Sequence, residues 1–142
     1  MKLRQVSTKD YKEIKKLFKR NNSKMITFKR WTNLWKKNPS LKNNKIKWVK
    51  GWVIEKNKKI VGHIGHFPMQ YFLNKKPYLC SVLYGWVVDE QFRSLSIVLL
   101  KRYFSQTNVD FFLATNLNET SSKIMKMIKV KEVPTKSLNY SL

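Results

Sequence analysis

The stretch from Trp48 to Val88 leaves few folds open to this chain. "WVKGWVIEK", "IVGHIGHFPMQYFL" and "YLCSVLYGWVV" are β-prone apolar runs joined only by "NKK" and "NKKP". A parallel crossover needs roughly a dozen residues or more, so runs joined this tightly must pair as an antiparallel meander. Gly65 and Pro68 mark where the middle run is expected to bend. Whatever flanks the meander has to cover its two faces.

The flanks carry the periodicities to do so. "KLRQV" near the start alternates like a short strand. "STKD" offers a cap to a helix in which Tyr11, Ile14, Leu17 and Phe18 keep helical spacing. "ITFKRWTNLWKKNP" reads as a second helix, with Phe28, Trp31, Leu34 and Trp35 on one face and Pro39 ending it. "LKNNKIK" is a polar loop. After the meander come a helix at about 95–106, the strand "VDFFLAT", a helix from Asn118 to about Met127, and a last short strand within "KEVPTKSLNYSL". The predicted class is α/β (α+β): one domain over residues 1–142 with a mixed, mostly antiparallel central sheet and helices on both faces.

Charge sets the partners. Lys and Arg total 30 against 8 Asp and Glu, a formal net charge of +22. Only Arg4, Arg20, Arg30, Arg93 and Arg102 are arginines, so the field is one of lysine point charges. Such a field attracts polyanions, but without the planar forks that read bases or grip phosphate bidentately. Nonspecific polyanion binding at low salt is expected, steep in salt and indifferent to sequence. No apolar run approaches the roughly 20 residues that span a bilayer. "MKLRQVSTKDYKEI" lacks the apolar core of a secretory signal, and Cys80, the sole cysteine, excludes an internal disulfide. The expected address is the cytoplasm.

Chemistry is concentrated at "GWVVDEQFRSLSIVLLKRYF", residues 85–104, where a strand meets an acidic turn, then Arg93, Ser94 and Ser96, then an amphipathic helix. The start of a helix presents unpaired N–H groups and a partial positive charge, which suits an anion. The bland alternative is an ordinary helix of an inert scaffold, capped by Ser94. Asp89 and Glu90 follow the strand and could accept a proton from an amine, or could simply suit the helix dipole. His63 and His66, the only histidines, fall on opposite faces at a spacing of three, which disfavours a shared metal site. Either could be a base or a hydrogen-bonded structural group. No metal is expected. Trp31, Trp35, Trp48 and Trp52 read as core or rim, with an acceptor pocket as the alternative. Gly85 could leave room beside the strand for a bound chain.

The element order, with the segments at 85–98 and 116–134, resembles the GNAT superfamily of acyl-CoA N-acyltransferases over nearly the whole chain. In that family the strand before the loop splays from its neighbour, and the acyl–pantetheine arm lies in the gap. The family loop Arg/Gln-x-x-Gly-x-Gly/Ala gives backbone N–H groups to the CoA pyrophosphate. Here "RSLSIV" aligns with it: Arg93 holds the first position, Ser96 replaces the first glycine, and Val98 replaces the Gly/Ala. The resemblance implies acetyl-CoA or another acyl-CoA as cofactor, with Arg93, Ser94, Ser96 and the amides through Val98 on the pyrophosphate. It places the backbone of Val87 and Val88 against pantetheine and Asn118 near the far end of CoA. The base is undecided among Glu90, Asp89 and His66. In "ATNLNETSSKIMKMIKVKEVP", Asn118, Ser121 and Ile124 fit the family pattern. Met125 stands where a tyrosine commonly protonates the leaving thiolate, and Lys129–Val130 replace Gly-Phe. The implied activity is transfer of a small acyl group, acetyl first, to an amine on a small molecule or glycan. The alternative is a non-catalytic, lysine-rich polyanion-binding module on the same fold. The family closes its sheet with two strands after the last helix, whereas this chain has room for one, interrupted by Pro134. The exposed edge that results leads us to expect a homodimer through the C-terminal segment, or a further domain.

Overall fold

The structure, a computed structural model, describes residues 1–42, 47–115 and 117–131. Strands β1 (Lys2–Gln5), β2 (Gly51–Lys56), β3 (Lys59–Leu73), β4 (Lys76–Val88) and β5 (Phe111–Leu113) form one sheet in that spatial order. Helices α1 (Tyr11–Arg20) and α2 (Phe28–Lys36) precede β2, α3 (Ser96–Phe104) joins β4 to β5, and α4 (Glu119–Met127) follows. Neighbours from β1 to β4 run antiparallel, and β5 alone runs parallel, beside β4. The meander, the mixed sheet and the element order follow the sequence reading. The segment 132–142, on which the final strand and the dimer contact were expected, lies outside the described residues, as does the core of the "LKNNKIK" loop.

Each face of the sheet carries its own core. Ile14, Leu17 and Phe18 of α1 and Trp31 and Trp35 of α2 pack with Val53 and Ile60. On the opposite face Leu99, Leu100 and Tyr103 of α3 and Met125 of α4 pack with Ile54, Val61, Ile64 and Leu83. Val53 and Ile54 are sequence neighbours serving different cores, as the two-residue period of a strand requires. Side-chain caps set the helix starts. Ser7 and Asp10 form a reciprocal capping box before α1, Thr27 caps α2, and Asn118 caps α4.

Tight connections in a chain with only 4 glycines need another source of left-handed backbone. Asn57–Lys58 and Asn74–Lys75 all have positive φ, and each pair makes the two-residue turn of a hairpin, β2–β3 and β3–β4. Lys129 (φ 60) ends α4 the same way. Its N–H donates to the Lys126 carbonyl and the Val130 N–H reaches back to Met125, the paired bonds that glycine usually closes. Lys129 thus takes the left-handed position that a glycine would otherwise fill at the end of α4.

β3 outruns its partner: β2 pairs with it only as far as Gly51 opposite Gly65. Beyond that point its outer edge is covered by single groups. The His66 carbonyl accepts from the Trp35 indole at 3.0 Å and the Pro68 carbonyl from the Asn38 amide at 2.8 Å. The Gln70 N–H donates to Ser40 Oγ at 3.0 Å. Pro68 has no N–H to leave unpaired, which is why a proline is tolerated here. The strand runs unbroken through Gly65 and Pro68, and its irregularity is a shift of register between His63 and Gly65. Among the described residues no helix is long and apolar enough to cross a membrane.

Lysine in the left-handed region carries a steric penalty of roughly 1–2 kcal/mol, partly offset by the greater freedom glycine has when unfolded. Lys58→Gly, Lys75→Gly and Lys129→Gly should therefore each raise stability, by about 0.5–1 kcal/mol. Urea denaturation of the three single variants checks this, and Lys76→Gly, in regular strand, should move the other way.

Candidate active site

β4 changes partners along its length. Cys80, Ser81 and Val82 pair with β5, but beyond Val82 that side of β4 faces a cleft. The cleft holds about 530 Å³, with Tyr84, Gly85, Trp86 and Val87 on one wall and Leu117, Asn118 and Ser121 on the other. A local defect in β4 accompanies the parting. Val87 pairs with His63 and Tyr84 with Gly65, so Gly85 and Trp86 together oppose Ile64. With Gly85 at φ 64, this is a bulge of the glycine type, which bends its strand and increases the twist.

Two groups hold the bulge in place. The His63 ring, fully buried, donates from Nδ1 to the Gly85 carbonyl at 2.6 Å. The Phe18 ring lies over Gly85, where a Cβ would meet its Cζ at 2.6 Å. Glycine is needed here for both the φ and the space, but Phe18, rather than a bound chain, takes that space. At the far end of β4 the Asp89 N–H donates to the Val61 carbonyl, and its carboxylate receives Arg20 through two bonds of 2.7 Å and Asn21 at 2.8 Å. Arg20 also bonds the Ile60 carbonyl. Burial alone would raise the Asp89 carboxyl, but these hydrogen bonds and the charges of Arg20 and Lys59 outweigh it and hold it below its ordinary value.

The three candidate bases are not brought together. Asp89 is buried in its ion pair with Arg20, a fixture joining α1 to the end of β4. His66 is buried on the α3 face, stacked on Trp52 and in edge contact with Tyr103. It shares a 3.1 Å hydrogen bond between Nδ1 and Ser81 Oγ. Burial pushes its pKa down to about 3, and that of His63 to about 4. Neither Asp89 nor His66 lines the cleft: the Asp89 carboxylate is taken by Arg20 and Asn21, and the His66 ring is buried with Nδ1 on Ser81 and Nε2 without a partner among the described residues. The two histidines do lie on opposite faces, His63 against Phe18 and His66 against Tyr103. Glu90 is exposed, 3.7 Å from Arg93, in a shallow polar bowl with Arg20, Lys59 and Asp89.

The expected cofactor residues separate into two groups. Val87 and Asn118 line the cleft, and Val88 follows Val87 in the same strand. Asn118 Oδ1 is engaged in capping, accepting from the Ser121 N–H at 2.8 Å. Arg93 and Ser94 are exposed on a 3-10 turn, Glu90–Leu95, that runs directly into α3. This continuity alters the expected cradle. The Ser96 N–H donates to the Arg93 carbonyl and its side chain is buried, while the residue capping α3 is Leu95 rather than Ser94. Val98 is partly exposed on the first turn of α3. Met125 is buried in the core and offers nothing to the cleft. Among the cleft residues that the sequence reading did not name as site residues are Trp86, whose indole N–H has no partner among the described residues, and Ser121. Ser121 lies one turn before Met125, and its polar face on an amphipathic helix was the available signal.

No protein-family model matches the chain, and no curated protein does. Solved structures do. A predicted acetyltransferase with acetyl-CoA from Clostridium acetobutylicum superposes with a TM-score of 0.72 at 14% identity, over 97% of this chain and 95% of that one. Glucosamine-6-phosphate N-acetyltransferase from Arabidopsis thaliana gives 0.65 at 15% identity over 99% and 98%. An aminoglycoside antibiotic 6'-N-acetyltransferase from Acinetobacter haemolyticus gives 0.64 at 14% over 100% and 98%. At such identities the likeness is one of fold, and the fold is that of the GNAT acetyltransferases.

Removing the Asp89 charge strands Arg20, so Asp89→Asn should lower stability by about 2–4 kcal/mol in urea, whereas Glu90→Gln should stay within about 0.5 kcal/mol. The histidines give a pH signature. Unfolded, each takes up a proton near pH 6.5, but folded only near 4 and 3, so the unfolded state binds more protons in between. Stability should be level above pH 6.5 and fall below it by about 1.4 kcal/mol per pH unit for each histidine. In His66→Phe the slope between pH 6 and 4.5 should be roughly halved, as read from urea midpoints.

Proposed function

We propose that this protein, built on the GNAT acetyltransferase fold, is a CoA-dependent N-acyltransferase, acetyl in the first instance, acting on an amine. The observation that carries the reading is the cleft where β4 leaves β5, walled by the bulged strand on one side and the start of α4 on the other. A strand that has lost its neighbour suits an extended, amide-bearing arm. The free indole N–H of Trp86 fits the same ligand, since a buried donor without an acceptor is unfavourable until something supplies one. When bound, acyl-CoA supplies the activated acyl group, and the rest falls to side chains of this chain.

Val87, Val88 and Trp86 hold the arm, and Asn118 shapes the wall opposite. Arg93 and Ser94 serve the pyrophosphate from the exposed turn before α3. Their side chains replace the amide cradle that a glycine loop would offer, because the Ser96 N–H is committed within the helix. Ser121 takes the place of the missing tyrosine by donating its hydroxyl to the departing sulfur. A thiol with a pKa near 8.5 leaves tolerably as its anion, so this help is at the low end of the usual 10²–10⁴ range for general acids. Among the described residues no carboxylate lines the cleft, and the amine proton leaves through water, with Glu90, exposed in the turn after β4, as its acceptor. The acceptor is an amine on a small molecule or glycan. Glucosamine 6-phosphate and aminoglycoside, in the names of two fold neighbours, are both sugars bearing amines.

The charge of +22 favours a second reading, a polyanion-binding module on the same fold. Calorimetry with CoA separates the two. Acyltransfer requires heat of binding and, at a hundredfold excess over the dissociation constant, about 2.7 kcal/mol of added stability. Trp86→Phe should weaken CoA about 2- to 10-fold, the worth of one hydrogen bond. Ser121→Ala should lower turnover about tenfold and leave CoA affinity unchanged. No heat with CoA, beside salt-sensitive binding of any polyanion, would hand the argument to the second reading.

A further inference from the structure

We propose that the tip of the β3–β4 hairpin docks on an anionic lipid bilayer, independently of whether the cleft transfers acyl groups. Every residue from Met69 to Pro77 is exposed. Phe72 is 68% and Leu73 63% exposed, with Met69 and Tyr71 partly so. Consecutive exposed apolar residues are unfavourable in water and, in a folded protein, point to a surface that something else covers. Register shows that the tip is apolar on both faces. Tyr71 lies opposite Tyr78, and Phe72 lies opposite Pro77 on the other face. The Tyr71 ring continues onto Phe111 of β5, with centroids 5.4 Å apart. A flat protein partner would cover one face of such a hairpin, whereas an interface that the tip enters covers both.

Charge selects the occupant. Lys75 lies in the turn and Lys76 opens β4 beside it, with Lys76 Nζ 5.3 Å from the Tyr78 ring centroid. Lysines beside an apolar tip can lie among headgroups while Phe72 and Leu73 enter the acyl boundary. Asp110, at the base of the hairpin, is engaged by the Leu79 N–H at 2.7 Å. A second copy is disfavoured by repulsion between two chains of +22. A nucleic acid would use the lysines and aromatic rings but gain little from Leu73, Met69 and Pro77. An anionic bilayer uses both the apolar and the basic groups, and such two-part anchoring is what makes peripheral binding stable. The tip and the cleft lie at opposite ends of β4, roughly 30 Å apart at 3.3 Å per residue, so docking leaves the cleft uncovered.

The test is flotation of the full chain with phosphatidylcholine vesicles, with and without phosphatidylserine. Binding is expected only with phosphatidylserine and should weaken steeply with salt. Combining Phe72→Ala with Leu73→Ala should weaken it by about tenfold or more, with an unchanged melting temperature because both side chains are exposed. Absence of binding, or binding indifferent to these substitutions, overturns the proposal. So does light scattering that shows a dimer abolished by the same substitutions, or oligonucleotide binding that they abolish.

Discussion

The hydrogen bond from the buried His63 ring to the Gly85 carbonyl is the contact on which the rest of the site depends. It requires the Nδ1–H tautomer, and burial keeps the ring neutral at physiological pH. With Phe18 packed over Gly85, it fixes two residues of β4 against one of β3 and so sets the bend of the strand. β5 follows β4 only over Cys80–Val82, and the cleft begins where that pairing stops. A core histidine thus acts on the site through geometry without touching what the site would bind.

The Arg20–Asp89 pair holds the other end of the same strand, so both ends of the cleft wall are anchored to α1. Rigidity here matters because a binding constellation works only when held close to its productive geometry. The opposite end of β4 follows a different logic. There the hairpin runs past β2, its edge is covered one group at a time as far as Gln70, and the tip is left apolar and basic. One strand therefore serves a rigid cleft at one end and an exposed surface at the other.

Much of the fold was legible because it rests on local pattern. "NKK" and "NKKP" permitted nothing but hairpins, and Ile14, Leu17, Phe18, Trp31 and Trp35 occupy the core that their spacing predicted. Phe28, read as part of that face, is 49% exposed because the first turn of α2 overhangs the core, and it closes on the Tyr11 ring instead. For the candidate site, the strand–Arg93–helix segment led to the end of β4 beside the cleft, and Asn118 to the helix on its other wall. Which groups remain free there depends on partners remote in sequence, such as Arg20, Asn21 and Ser81, and those took Asp89 and His66 out of the cleft.

Composition and periodicity alone determined a mostly antiparallel sheet covered on both faces, a strongly basic surface, and helices at nearly the positions observed. These follow from properties each residue carries with it: side-chain polarity, β-branching, caps, and the length of a turn. Tertiary structure decided the bulge at Gly85, the loss of the Ser96 amide to a continuous helix, the isolation of the Trp86 indole N–H, and the exposure of the hairpin tip. Each of these concerns whether a polar group or an apolar surface finds a partner, and a partner is supplied by chain that lies elsewhere in the sequence.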